Sequence, residues 1–329
     1  MIDSIPKKWV ILATGGTIAG LAAHPDSPSD YQAAQVELPE LIQKWGIHVP
    51  GECLVESVAQ IDSKDMGESI WRDLLARCAH WRTHHEVSGI VITHGTDTLE
   101  ETAFLLHWML PEGCPVVITG AMWPSNAPQS DGPDNLRLAL DWLGSGHAQG
   151  VVVAFAGQIH HPEWVSKVHA DELSAFSSGT ASPLASSTEV GWTIHPEPHL
   201  LRQVWLKPDL NAVLTTQAWP RVDVFLHHAQ AQPWWLSPES LALSVKGSPL
   251  RGVVLAGTGH GTFNSEWQSA LERLQAGGIG VAISSRCAFS TVWPHQPDPS
   301  RMYSDHLNAV KTRIALQMHC LALDQELKA

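Results

Sequence analysis

Positive charge is scarce in this chain of 329 residues. Twenty Lys and Arg stand against 33 Asp and Glu, leaving a net charge of −13. That is the wrong sign for gripping a phosphate backbone, and no local basic patch offsets it, so nucleic acid is not an expected partner. Cysteine is sparse too. Cys53, Cys78, Cys114, Cys287 and Cys320 are odd in number, scattered, and form no C-x-x-C pair. This argues against a disulfide framework or zinc knot and favours the cytoplasm. No apolar run approaches the roughly 20 residues of a membrane helix, so no membrane partner is expected. The stretch from Met1 to Lys8 leads straight into a short apolar strand, unlike a secretory signal. Nineteen histidines include three adjacent doublets but no H-x-x-x-H pair with a carboxylate partner, so no metal is expected. Both the G-x-x-x-x-G-K-[ST] and the full G-x-G-x-x-G patterns are missing, which counts against a nucleotide cofactor. No cofactor is expected.

What the chain does contain is a design used twice. Val10 to Ala13 is a continuous apolar run, as in a strand buried on both faces of a parallel sheet, and it ends at Gly15-Gly16-Thr17. Ile90 to Ile92 runs in the same way into Thr93-His94-Gly95-Thr96-Asp97-Thr98. Thr98 and Glu101 have capping-box spacing, which starts a helix near Leu99 and leaves Thr96 and Asp97 at its mouth. Open α/β sheets bind ligands beyond the carboxyl ends of their strands, so Thr17 and Thr96 are placed to face one cleft. Spacing alone does not say which of the two attacks a substrate.

Strand and helix alternate onward. Helices are expected over Leu38 to Trp45, Ile70 to His85, Leu99 to Leu110 and Asn135 to Leu143. Strands are expected over Cys53 to Ala59, Gly89 to Thr93, Pro115 to Thr119 and Gly150 to Ala156. Leu21 to Gln35, with two prolines among polar residues, reads as a loop beside Thr17 and a candidate lid. From Trp192 to Pro220 four prolines break any periodicity. Then a second alternating unit begins: strands near Val222 to His227, Gly252 to Ala256 and Gly280 to Ser284, with helices near Pro238 to Ser244, Ser265 to Ala276 and Asp305 to Leu323. The expected fold is α/β, a larger N-terminal domain with a mainly parallel sheet flanked by helices plus a smaller C-terminal α/β domain. The boundaries are 1–193, a linker over 194–220, and 221–329.

At Thr14-Gly15-Gly16-Thr17-Ile18-Ala19 and His94-Gly95-Thr96-Asp97-Thr98 the chain resembles the bacterial-type L-asparaginase family. Asp62-Ser63-Lys64-Asp65-Met66, Gly120-Ala121-Met122-Trp123-Pro124-Ser125, Asp131-Gly132-Pro133, Val165-Ser166-Lys167 and Leu307 to Arg313 extend the resemblance over nearly the whole chain. It implies hydrolysis of L-asparagine to L-aspartate and ammonia through a covalent acyl-enzyme. Thr17 would be the nucleophile, assisted by Tyr31, with Thr96, Asp97 and Lys167 moving protons. Ser63, Lys64, Gly95, Asp97 and Ala121 would bind substrate, Asp97 taking the ammonium and backbone N–H groups near Gly95 or Thr96 an oxyanion. The resemblance also implies a homotetramer of two close dimers.

Four features depart from the pattern of that family: Lys64 replaces a glutamine of the periplasmic type, Glu163 stands where arginine is frequent, His260 replaces an asparagine, and Ser284-Ser285-Arg286-Cys287-Ala288 is not followed by a counterpart of that type's glutamate near the substrate amine. An asparaginase that also takes glutamine, or another side-chain amide, is the near alternative. A silent metabolite or nucleotide-binding protein is the remote one.

Overall fold

The computed structural model describes residues 8–24, 30–49, 51–202, 205–236, 249–294 and 297–327. The expected helix over Pro238 to Ser244 and the middle of the candidate lid lie outside them. Contacts divide the chain into two compact units, meeting between Pro198 and His199.

In the first unit the described elements run β1 (Lys8–Gly15), β2 (Leu21–Ala22), β3 (Tyr31–Gln32), α1 (Leu38–Lys44), β4 (Glu52–Ile61), α2 (Glu68–Arg82), β5 (Val87–Thr93), α3 (Leu99–Met109) and β6 (Val116–Thr119). They continue as α4 (Gly132–Gly144), β7 (Val151–Phe155), β8 (Gln158–His160), β9 (Ser166–Lys167), β10 (Phe176–Ser177), β11 (Ala185–Thr188) and β12 (Gly191–Ile194). Eight strands form one sheet in the order β12-β11-β8-β7-β6-β5-β1-β4. From β7 to β4 the neighbours are parallel, while β8, β11 and β12 are added antiparallel.

The unbroken apolar reading of β1 follows from its place: β4 and β5 pair on either side, and Val10, Ile11 and Leu12 are fully buried. Trp9, Ile11 and Ala13 pack with Leu38 and Leu41 of α1 and with Leu136, Ala139 and Leu143 of α4. The alternate residues Val10 and Leu12 point to the other face, where α2 and α3 pack against the sheet and each other.

The second unit holds α5 (Leu210–Thr215), β13 (Arg221–Leu226), β14 (Leu250–Gly257), α6 (Ser265–Ala276), β15 (Gly280–Ser285), β16 (Met302–Tyr303) and α7 (Ala309–Glu326). Its sheet, β13-β14-β15-β16, is parallel throughout. Trp267, Leu271 and Leu274 of α6 pack on Val253, Leu255, Val281 and Ile283. Leu316 of α7 lies against Gly252, where a Cβ would sit 2.8 Å from it.

Three local expectations change. The capping box does not form: no side chain caps α3, and the Thr98 hydroxyl instead donates to the Ser63 carbonyl at 2.8 Å. A tertiary partner has taken the group that local spacing assigned to the helix. Residues 194–220 are not all irregular, since Asp209 caps α5 by accepting the Asn211 N–H and Val213 is fully buried. The last helix begins after Asn308 and not at Asp305, because Asp305 has φ 52° and bridges Val292.

The parallel arrangement sets the carboxyl ends of β4, β1, β5 and β6 side by side, and there the chain turns on glycine. Gly15 and Gly16 adopt φ of 94° and 81°, a region glycine enters without the usual steric cost. A Cβ on Gly16 would stand 2.4 Å from the Gly95 backbone, and one on Gly95 would stand 2.6 Å from Ser63 Oγ. The Gly16 and Gly95 turns therefore touch where neither carries a side chain, and Ser63 packs its own side chain on Gly95. Gly95→Ala is expected to cost about 1–3 kcal/mol in urea unfolding, the range of an overpacked core. Gly144→Ala, with nothing within 4 Å of the new methyl, should leave stability unchanged or raise it by up to ~1 kcal/mol.

Candidate active site

Each cluster at this edge is built on one turn. Beyond Gly16 the chain makes a single 3-10 turn, Thr17–Ala19, and Thr17 is 5% exposed. Its Oγ1 lies 2.7 Å from the Tyr31 hydroxyl. Tyr31 reaches it because β2 and β3 pair antiparallel, Ala22 opposite Tyr31. The Asn126 amide holds the base of this hairpin from both sides, accepting the Ala22 N–H at 2.8 Å and donating to the Ala22 carbonyl at 2.9 Å. Ser125 donates to the Gly20 carbonyl from both its hydroxyl and its N–H.

The second cluster begins after β5. Thr96–Thr98 is another 3-10 turn running into α3, and Thr96 is 5% exposed. Lys167 Nζ, carried on β9, donates to Thr96 Oγ1 at 2.9 Å and to Asp97 Oδ1 at 2.6 Å. The Asp97 side chain is the open end of this cluster, 58% exposed against 15% for Lys167.

The five catalytic candidates thus fall into two groups, Thr17 with Tyr31 and Thr96 with Asp97 and Lys167, on turns joined through Gly16 and Gly95. Ser63, 2% exposed, packs on Gly95 from the end of β4. Ala121 follows β6 and is fully buried. Lys64 is exposed, and its ammonium is already paired, with Asp62 at 2.8 Å and Asp65 at 3.1 Å. The hydrogen bonds it donates, first to Asp62 and then to Asp65, hold its pKa above the ordinary value for lysine. Among the departures, Glu163 is buried and lies 3.6 Å from His107, while His260, in the other unit, bonds the Thr291 carbonyl.

Several supporting residues were given no role by the sequence reading. Asp131 accepts the N–H groups of Met122 and Trp123, each at 3.0 Å, and Asn135 donates to the Gly120 carbonyl while accepting the Ala156 N–H. Together they shape the turn that carries Ala121. Burial pushes the Asp131 carboxyl up, against the pull of these donors. His94 is fully buried at the centre of a directed chain. The Trp71 indole donates to Thr102 Oγ1 at 2.8 Å, so the Thr102 hydroxyl is left to donate to His94 Nε2 at 2.9 Å, and His94 Nδ1–H donates to the Gly95 carbonyl at 2.7 Å. Desolvation drives its pKa from 6.5 down to about 4, and the chain fits one neutral tautomer. In a trans peptide the N–H points opposite to the C=O, so fixing the Gly95 carbonyl also fixes the Thr96 N–H. That N–H opens a helical turn and has no partner within it. Among the described residues no group of three or more His, Cys, Asp or Glu is placed to hold a metal ion.

Residues 8–200 match the asparaginase N-terminal domain, and residues 221–329 match the glutaminase/asparaginase C-terminal domain. The chain belongs to the asparaginase family. L-asparaginase 2 of Bacillus subtilis is 30% identical over 94% of this chain and 81% of its own length. A glutaminase-asparaginase of Pseudomonas fluorescens is 31% identical over 97% and 87%. The crystal structure of a probable cytoplasmic L-asparaginase from Campylobacter jejuni superposes with a TM-score of 0.82 at 29% identity, covering 95% of this chain and 94% of that one.

The buried histidine of this asparaginase-family fold makes stability depend on pH. Its folded pKa is depressed, so between 6.5 and about 4 the unfolded chain binds a proton that the folded chain refuses. The contribution is whole above pH 6.5 and is lost as pH falls toward 4, a gap of roughly 3 kcal/mol. In urea unfolding at pH 7.5 and pH 5, the wild type should lose about 2 kcal/mol more than His94→Asn.

Proposed function

We propose that the chain is an L-asparagine amidohydrolase releasing ammonia through a threonine acyl-enzyme. The observation that carries this is the pair of hydroxyl clusters, Thr17 with Tyr31 at 2.7 Å and Thr96 with Lys167 at 2.9 Å, on touching turns of an asparaginase-family fold. A threonine hydroxyl is a weak nucleophile until its proton is removed, and a covalent ester divides one difficult step into two.

In the first step Thr17 Oγ1 attacks the side-chain amide carbon and passes its proton through Tyr31. The tetrahedral oxyanion accepts from the Thr96 N–H, an interaction worth roughly 3 kcal/mol. The C–N bond breaks, and the departing nitrogen takes the proton that Tyr31 relayed from Thr17 and leaves as ammonia. In the second step water attacks the ester, gives up its proton toward Thr96 and Lys167, and releases aspartate with Thr17 restored. Lys167 Nζ stands 2.9 Å from Thr96 Oγ1 and 2.6 Å from Asp97 Oδ1, within reach of that proton. Asp97 also offers a carboxylate to the substrate ammonium, and Ser63 with Lys64 takes the α-carboxylate. Ala121 and Gly95 border the amide through the turns they occupy.

Glutamine as a second substrate is favoured by the Pseudomonas fluorescens relative, whose name covers both amides. One methylene changes discrimination by only about 1–3 kcal/mol. The same reading carries a homotetramer of two close dimers, which size-exclusion chromatography with light scattering tests, and a cytoplasmic location, in keeping with five free cysteines.

Ammonia release from L-asparagine, L-glutamine and D-asparagine is the deciding experiment. L-Asparagine should be the fastest substrate, and Thr17→Ala should lower its turnover by more than about 1,000-fold. Substantial turnover by a folded Thr17→Ala protein would remove Thr17 from the role, and silence toward all free amino acids would move the substrate to a larger amide. Lys64→Gln should raise KM by about fivefold or less with kcat unchanged, because an exposed ion pair is worth at most ~1 kcal/mol.

A further inference from the structure

Lys167 has an insecure address. It lies on β9, two residues long, paired with β10 in a ribbon of its own that is not part of the eight-stranded sheet. A two-stranded ribbon is marginal by itself, so the ladder does not fix where the Lys167 backbone stands relative to the Thr96 turn. A second contact does. The Lys167 N–H donates to Glu100 Oε1 at 3.1 Å.

Glu100 is 7% exposed and is the second residue of α3, the helix that continues directly from the Thr96–Thr98 turn. A carboxylate that deep is costly to desolvate unless donors meet it, and a position in the first turn of a helix favours its negative charge. The same rigid segment therefore grips Lys167 at both ends. Its backbone is held by Glu100, and its ammonium is held by Thr96 and Asp97.

We propose that Glu100 is a positioning residue for Lys167, its carboxylate oxygen anchoring the β9 backbone so that Nζ reaches Thr96 Oγ1. The proposal rests on the reading of Lys167 as part of the reacting cluster. Glu100 touches no reacting atom in it. What it supplies is an acceptor at a set distance from the helix, and a displacement of about 1 Å in such a site can cost 10²-fold in rate.

Two conservative variants separate position from charge. Glu100→Gln keeps the length and an acceptor oxygen but loses the charge. Glu100→Asp keeps the charge but withdraws the oxygen by one methylene. With L-asparagine, Glu100→Gln should hold kcat within about threefold of wild type, while Glu100→Asp should lose ten- to a hundredfold with KM changed less than threefold. The reverse order would show that charge matters and position does not, and would overturn the proposal, as would equal kcat in the two variants.

Amide hydrogen exchange across 165–168 gives a readout independent of turnover. Protection of the Lys167 N–H should persist in Glu100→Gln and fall at least tenfold in Glu100→Asp; undiminished protection in both would also overturn the anchor. Wild type and Lys167→Met are assayed in parallel. An inactive wild type would count against the amidohydrolase reading, and exchange would still decide the anchor. An active wild type, an impaired Lys167→Met and unaffected Glu100 variants would count against the anchor alone.

Discussion

The near contact of two backbones, at Gly16 and Gly95, is the constraint on which the rest of the site depends. Two parallel strands can stand side by side in any α/β sheet, but the turns that leave them separate as soon as one carries a side chain. Here a Cβ on Gly16 would meet backbone at 2.4 Å, and backbone cannot rotate aside as a flexible side chain can. The glycines let the Thr17 and Thr96 turns close on each other, and Ser63 fills the remaining space from the end of β4. Gly16 is also tied from outside, its N–H donating to the Ile61 carbonyl and its carbonyl accepting from Ala34. The turn is thereby joined to both the neighbouring strand and the segment that follows Tyr31.

Around this contact the polar groups divide into hydroxyl and ammonium groups bonded to one another and side chains that fix the backbone. His94 belongs to the second kind. Its two nitrogens are both engaged, its charge is suppressed by burial, and its one effect on the cleft is through the direction of the Gly95–Thr96 peptide. Asp131 and Asn135 act in the same way on the turn after β6, converting two side chains of α4 into a template for the backbone from Gly120 to Trp123. The hydroxyl and ammonium groups of Thr17, Tyr31, Thr96 and Lys167 instead bond mainly to one another. The Thr17–Tyr31 hydroxyl pair can exchange donor and acceptor, whereas the Lys167 ammonium only donates. Lys64 stands apart at the rim, with its charge shared between two neighbouring carboxylates. A substrate carboxylate arriving there would compete with Asp62 and Asp65 for it, so this lysine offers a softer grip than an isolated cation would.

Much of the fold was legible in the chain because its signals are local. The apolar runs Val10 to Ala13 and Ile90 to Ile92 name central parallel strands, and Ser265 to Ala276 is a helix where one was expected. Thr17 and Thr96 were legible as candidates at strand ends, while Lys167 was named only by the family resemblance. What local signals misassigned was Thr98, whose hydroxyl satisfies the Ser63 carbonyl in place of its own helix. What they could not name at all were Asn126, Asn135 and Glu100. The partner of Asn126 lies 104 residues away and that of Glu100 lies 67 away, and an amide or carboxylate in sequence carries no mark of a distant acceptor or donor.

The division has a physical basis. By itself the sequence determined the period of each element, the places where the chain turns on glycine, and the chemical types of the reactive groups, since these follow from residue size, branching and polarity within a few positions. Only the tertiary structure decided which turn meets which, that Lys167 reaches Thr96 across 71 residues, and that Tyr31 returns to Thr17 on a short antiparallel pair. Those meetings depend on strand order and on backbone approach at distances under 4 Å, and neither quantity exists until the sheet has assembled.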